Sequence, residues 1–245
     1  DSNSNIIEAS TLTGCVPTAF SIVMRYHEWP IQGKGSIIGS WAVDQYNDIP
    51  TNNPVVTIDH TATTYDWDNM PLEYSANWTQ ENITQVATLM RNVGYAFGVT
   101  YTPGNTSIND TDLPEKIKTC FDYTIETTAL GNYNTSGVIN DISVWKDKLK
   151  SSLDHDCPIP YAANNSGTGD SRHMFVVDGY TNNDYFHFNF GWKGNGNGWF
   201  TIDAITPSTG DNYSWTATGS KHRAYINFKP NKQVTVSVAA DPDTA

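Results

Sequence analysis

The chain has 245 residues, enough for one large domain or two small ones with a substantial core. Its 14 lysines and arginines against 26 aspartates and glutamates leave a net charge of −12. No basic stripe exists to neutralise phosphates, which argues against nucleic acid and anionic membrane surfaces as partners.

No window approaches the ~18 consecutive apolar residues of a membrane span, so no membrane insertion is expected. Charged residues are sparse, and Asn, Thr, Ser, Gly and Tyr take their place, a composition that suggests an extracytoplasmic location. The opening Asp1-Ser2-Asn3-Ser4-Asn5 reads as a processed or truncated N-terminus. Sequons at Asn77, Asn82, Asn105, Asn109 and Asn134 arise by chance in so Asn- and Thr-rich a chain, and glycosylation is given little weight.

The first predicted element is a helix from about Cys15 to Tyr26, with Pro17 in its first turn and Phe20, Val23, Met24 and His27 at helical spacing. Residues 30–75 read as loops and short helices, with Tyr65 and Trp67 available for burial. A second helix spans Thr79 to Asn92, with Gly94 as its stop, and Tyr95 to Tyr101 reads as a strand. A third helix runs from Leu113 to Phe121, opened by Pro114, and a fourth from Val144 to Leu153 with Trp145, Leu149 and Leu153 inward.

The second half changes period. Ile159–Ala163, Met174–Val177, Tyr185–Phe190, Trp199–Ile202 and Arg223–Phe228 are short apolar, aromatic and β-branched runs, and Asn182-Asn183-Asp184 is a hairpin-like link. The expected class is α+β, a helical N-terminal half packed on an antiparallel β-sheet half, with an active-site cleft between them. The domain is expected over residues 1–229. Residues 230–245 form a tail with one strand, Val234 to Val238, leading toward a further domain.

Cys15 is the candidate nucleophile. At a helix N-terminus the macrodipole and unpaired N–H groups favour the thiolate. A thiol nucleophile needs a base, and the base needs an orienting group. Of the six histidines, His27 lies on the core face of the first helix as a satisfied core residue. His60, His155 and His222 have polar neighbours and read as surface, and His187 is ambiguous. His173 opens a buried strand just after the polar loop Asn164 to Arg172, where it can face a cleft. Asn189 follows 16 residues later in Asn189-Phe190-Gly191-Trp192. An early cysteine with His and Asn well over 100 residues downstream has the general papain-type order.

The other sulfurs leave two readings open: a Cys120–Cys157 disulfide, or two reduced core cysteines. Asp178 is weighed as a triad acid and reads better as part of a structural Asp-Gly turn. No ligand cluster suggests a metal site, and no cofactor is expected.

Two long blocks carry a resemblance. Thr13 to Pro30, TGCVPTAFSIVMRYHEWP, resembles the nucleophile helix of the streptopain (C10) family of papain-like cysteine peptidases. Arg172 to Ile205, RHMFVVDGYTNNDYFHFNFGWKGNGNGWFTIDAI, resembles that family's histidine segment. YDWDNMP, the helix ending NVG, and the Ser-, Thr- and Gly-rich loop Pro207 to Ser220 match further landmarks, so the likeness reaches to about Lys229.

The resemblance implies a papain-like fold and a secreted or cell-surface bacterial cysteine endopeptidase, made as a zymogen, acting on protein or peptide substrates. It implies Cys15 as nucleophile, His173 as its ion-pair partner and general acid/base, Asn189 holding the imidazole, and Trp192 shielding that contact from water. The substrate-binding residues are not assignable from it. The family's oxyanion glutamine lies well upstream of its cysteine, and no glutamine precedes Cys15 here; Gln32 does not match. The expectation is a separate N-terminal fragment or propeptide that supplies the donor, or a catalytically weak chain. Arg172 and Phe190 also depart from the family's Gly and Trp, and Arg172 is expected to narrow the entrance or lower the His173 pKa. Two other readings keep the fold and change the function: a surface-binding or adhesin module with impaired catalysis, and a papain-fold acyl transferase.

Overall fold

The computed structural model describes residues 12–40, 55–102, 105–108, 112–131, 138–164, 172–208, 213–216 and 221–232. The strand expected at Val234–Val238, the sequons at Asn109 and Asn134, and most of the loop before Arg172 lie outside the described residues.

The helical half begins with α1 (Cys15–His27), whose buried Phe20, Val23 and Met24 form one stripe. The mixed region that follows holds an antiparallel pair, β1 (Ser36–Ser40) with β2 (Val55–Asp59), and 3₁₀ turns at His60–Ala62 and Trp67–Asn69. The next helix, α2 (Gln80–Phe97), opens with a reciprocal capping box between Thr79 and Asn82. It does not stop at Gly94. Leu89, Val93, Ala96 and Phe97 continue one buried stripe, and Phe97 packs on Phe20 at 4.8 Å between ring centroids. Burial therefore carries the helix through the expected strand at Tyr95, and Gly98 ends it in the left-handed conformation. A short antiparallel pair, β3 (Thr100–Thr102) with β4 (Asn105–Ser107), and α3 (Leu113–Phe121) complete this half.

The sheet half holds β5 (Tyr123–Leu130), β6 (Val138–Ile139), α4 (Ile142–Leu153), β7 (Ile159–Asn164), β8 (Arg172–Tyr180), β9 (Phe186–Asn189), β10 (Gly198–Phe200) and β11 (His222–Pro230). Their spatial order is β10-β9-β8-β7-β11-β5-β6, antiparallel except for the β5–β6 pair. Sequence reading assigns no element to Tyr123–Leu130. Its burial does not alternate, so no period-2 signal marks it as a strand.

Each face of the sheet buries its own core. Met174 and Val176 of β8, with Ala162, Tyr225 and Phe228, pack against α1, α2 and α3. Phe175 and Val177, one residue out of phase, join Tyr161, Phe188 and Phe190 against Trp145 and Leu149 of α4. Lys146 and Lys150 of α4 pair with Asp184 at 3.3 and 2.5 Å, which ties the β8–β9 hairpin to that helix. None of the helices among the described residues is long and apolar enough to cross a membrane.

Candidate active site

The site forms where the start of α1 meets the start of β8. Gly14, just before the helix, has φ 90° and ψ 151°, and a Cβ there would lie 2.5 Å from Thr106 Oγ1. Only glycine fits that conformation and that approach. Thr18 Oγ1–H donates to the Gly14 carbonyl at 2.8 Å and steadies the first turn. Cys15 is half-buried in this turn.

The backbone N–H groups of Met174, Cys15 and Val16, together with the Arg172 charge, all favour the Cys15 thiolate. Burial outweighs them and raises the thiol above its ordinary 9.0. The expected effect of Arg172 on His173 is not found: burial and the Phe190 carbonyl account for the imidazole's shift, and the Arg172 charge acts at the sulfur, where it favours ionisation. Met174 is the neighbour of His173 on β8, so the strand whose backbone N–H favours the thiolate also carries the imidazole.

The His173 Nε2 atom lies 3.0 Å from the Phe190 carbonyl. A carbonyl only accepts, so Nε2 carries the hydrogen and Nδ1 of the neutral ring holds the lone pair. Burial lowers the His173 pKa below 6.5, and the carbonyl partly offsets this by favouring the charged ring. Trp192 stacks on the imidazole, with centroids 4.7 Å apart and planes 21° apart.

In this structure the acceptor for the imidazole is the Phe190 carbonyl, not the Asn189 carboxamide. Asn189 Oδ1 accepts the Gly191 N–H at 3.1 Å, and Asn197 Oδ1 accepts the Phe190 N–H at 2.9 Å. Both amides brace the turn that carries Phe190 and Trp192. Gly191, at φ 74°, presses that turn against α1: a Cβ there would lie 2.9 Å from Thr18 Cγ2. The element holding the imidazole's partner is thereby docked on the element holding Cys15.

The other sequence candidates separate from this site. His27 Nε2–H donates to the Phe228 carbonyl at 2.8 Å, as a satisfied core histidine does. His60 and His222, expected at the surface, are both 0% exposed, because the folded chain covers neighbours that read as polar in the sequence. His155 is exposed. Asp178 pairs with His187 at 2.5 Å across β8 and β9. Cys120 and Cys157 are buried free thiols, so the disulfide reading does not hold in this structure. Among the described residues, no group of three or more His, Cys, Asp or Glu is placed to hold a metal ion. Side-chain reading missed the Phe190 carbonyl and the Met174 N–H, because backbone groups carry no sequence signature.

A helical half and a mainly antiparallel sheet, meeting at a helix-borne cysteine and a strand-borne histidine, define the papain-like α+β class. The structure superposes on active wild-type interpain A cysteine protease from Prevotella intermedia with a TM-score of 0.72 and 30% identity, covering 89% of this chain and 84% of that one. A prointerpain A fragment matches at TM-score 0.66 and 28% identity, covering 87% and 62%. The chain belongs to the peptidase C10 family, whose sequence model matches residues 2–200. It is 26% identical over 231 residues to the thiol protease/hemagglutinin PrtT of Porphyromonas gingivalis, covering 94% of this chain and 25% of that protein. It is 26% identical over 203 residues to a streptopain of Streptococcus pyogenes, covering 80% and 47%. The chain therefore spans a quarter of PrtT and about half of streptopain.

Proposed function

We propose that this chain is a cysteine endopeptidase with Cys15 as nucleophile and His173 as general acid and base. The observation that carries the reading is the tautomer. With Nε2–H committed to Phe190, the free Nδ1 belongs to a ring on β8 whose chain neighbour, Met174, has a backbone N–H that favours the Cys15 thiolate.

Nδ1 takes the thiol proton, and the thiolate attacks the carbonyl carbon of a peptide. The Cys15 N–H donates to the oxyanion that forms. The imidazolium returns its proton to the leaving amine as the C–N bond breaks, leaving a thioester on Cys15. Nδ1 then takes a proton from water, whose oxygen attacks the thioester; the carboxylic acid leaves and the thiol is restored. Trp192 covers the imidazole and keeps competing water from it. Asn189 acts by shaping the Phe190–Trp192 turn. Secretion and synthesis as a zymogen belong to the same proposal, supported by the composition and by a relative solved as prointerpain A.

A thiol-directed peptidyl epoxide tests the assignment. Stoichiometric labelling of Cys15 at neutral pH is expected, abolished by Cys15→Ala and strongly weakened by His173→Ala. An unlabelled wild-type protein would leave a binding module as the better account.

A further inference from the structure

Trp192 is not the only ring against His173. Tyr213 and Trp215 lie 6.3 and 6.0 Å from the imidazole, with planes tilted by only 28° and 18°. They lie 5.1 Å from each other, and Tyr213 is 5.3 Å from Trp192. Phe190 joins the same layer, 5.2 Å from Trp192 and 5.9 Å from Trp215, both at 19°. His173 is thus set against a stack of near-parallel rings drawn from two separate stretches of chain, Phe190–Trp192 and Tyr213–Trp215.

The Tyr213–Thr216 segment is held from outside the stack. Ile205 and Trp215 exchange backbone hydrogen bonds at 3.1 and 3.0 Å, and His222 Nε2–H donates to the Thr216 carbonyl at 3.2 Å. Trp215 is 0% exposed and Tyr213 is half-buried. This segment lies inside the polar loop Pro207 to Ser220, where composition alone suggests no wall at all.

The Phe190 hydrogen bond fixes one atom of the imidazole. The outer torsion of a histidine is broad, so one bond does not set the ring plane or the direction of Nδ1. Neighbouring aromatic faces do. We propose that Trp215, steadied by Tyr213, is a positioning residue that holds the His173 ring with Nδ1 toward Cys15. This rests on the Cys15–His173 reading above. Of the rings around His173, Tyr213 is the titratable one, and Arg172, which precedes His173, is the charge that acts at the thiol.

The test is alkylation of Cys15 by iodoacetamide across pH, followed by mass spectrometry of the peptide that carries it. At pH 6, wild type is expected to react at least ~10-fold faster than His173→Ala, because Nδ1 takes the thiol proton as the sulfur is alkylated. Trp215→Leu should fall most of the way to the His173→Ala rate, while Trp215→Phe, which keeps a ring, should stay within about 2-fold of wild type. Tyr213→Leu, at a half-buried position, should fall part of the way and decides the matter if Trp215→Leu does not fold. Wild-type rates in folded Trp215→Leu, or in Tyr213→Leu, would overturn the proposal. So would equal losses in the Leu and Phe variants. Equal rates in wild type and His173→Ala would instead refute the Cys15–His173 pair itself.

Discussion

Burial pushes Cys15 and His173 each toward neutrality, and their shifts combine into one expected pH profile. The thiol is raised above 9.0 and the imidazole lowered below 6.5. In the proposed mechanism the active pair holds one proton between two sites. Its two tautomers, thiol with imidazole and thiolate with imidazolium, share the same pH dependence, so only the outer limits are observable. Activity should rise through an acid limb below 6.5, where the pair sheds its second proton, and fall through an alkaline limb above 9.0, where it loses its last. A plot of kcat/KM against pH checks this, and an alkaline limb near neutrality would contradict it. Cys15, His173 and Trp192 are all legible in the sequence because each is a side chain in a patterned block. The partner of the imidazole is not, because the acceptor is a main-chain oxygen that any residue at position 190 would supply.

Docking of the Asn189–Asn197 turn on α1 depends on one residue without a side chain. Gly191→Ala is expected to destabilise the protein by about 1–2 kcal/mol, through the positive φ and the new methyl against Thr18. It should lower turnover more than substrate affinity, since the turn carries both the Phe190 carbonyl and Trp192. Thr18→Ser removes the opposing Cγ2 methyl and keeps the hydroxyl that bonds Gly14. The double variant should regain part of the loss; a strictly additive cycle, measured by urea unfolding and kcat, would argue against the contact. Elements were readable where one period ran unbroken, as in α1, α3 and α4. The end of α2 is not legible, because Ala96 and Phe97 prolong a buried stripe past Gly94. β5 is not legible because its burial does not alternate: Tyr123 joins the core of the helical half and Leu130 the core against α4, while β11 and β6 only pair with its backbone.

The whole molecule carries an acid sensitivity in its core. Burial lowers the pKa values of His27, His60, His173 and His222, the last to about 4. His222 accepts from the Tyr161 hydroxyl at 2.8 Å, and that hydroxyl in turn accepts from Trp145 Nε1 at 3.3 Å. A second proton on His222 would break that chain. Below 6.5 the unfolded chain binds these protons and the folded one does not, so stability falls as pH drops through this window and levels off below the folded values. For His222 alone, a value of about 4 against 6.5 amounts to about 3 kcal/mol. Urea unfolding from pH 7 to pH 4 should show at least that loss, and a flat profile would mean that His222 is not held neutral in a buried site.

Local pattern and composition set the cysteine-bearing helix α1, the strand that bears His173 and the α+β class. These are properties of side chains in short stretches, and spacing along the chain is enough to specify them. Tertiary structure alone decided that Phe190 offers its carbonyl, that Asn189 braces a turn, that His60 and His222 are buried, and that Tyr213 and Trp215 stand beside the imidazole. Backbone groups have no sequence signature, and ring planes and burial depend on which distant segments the folded chain brings together.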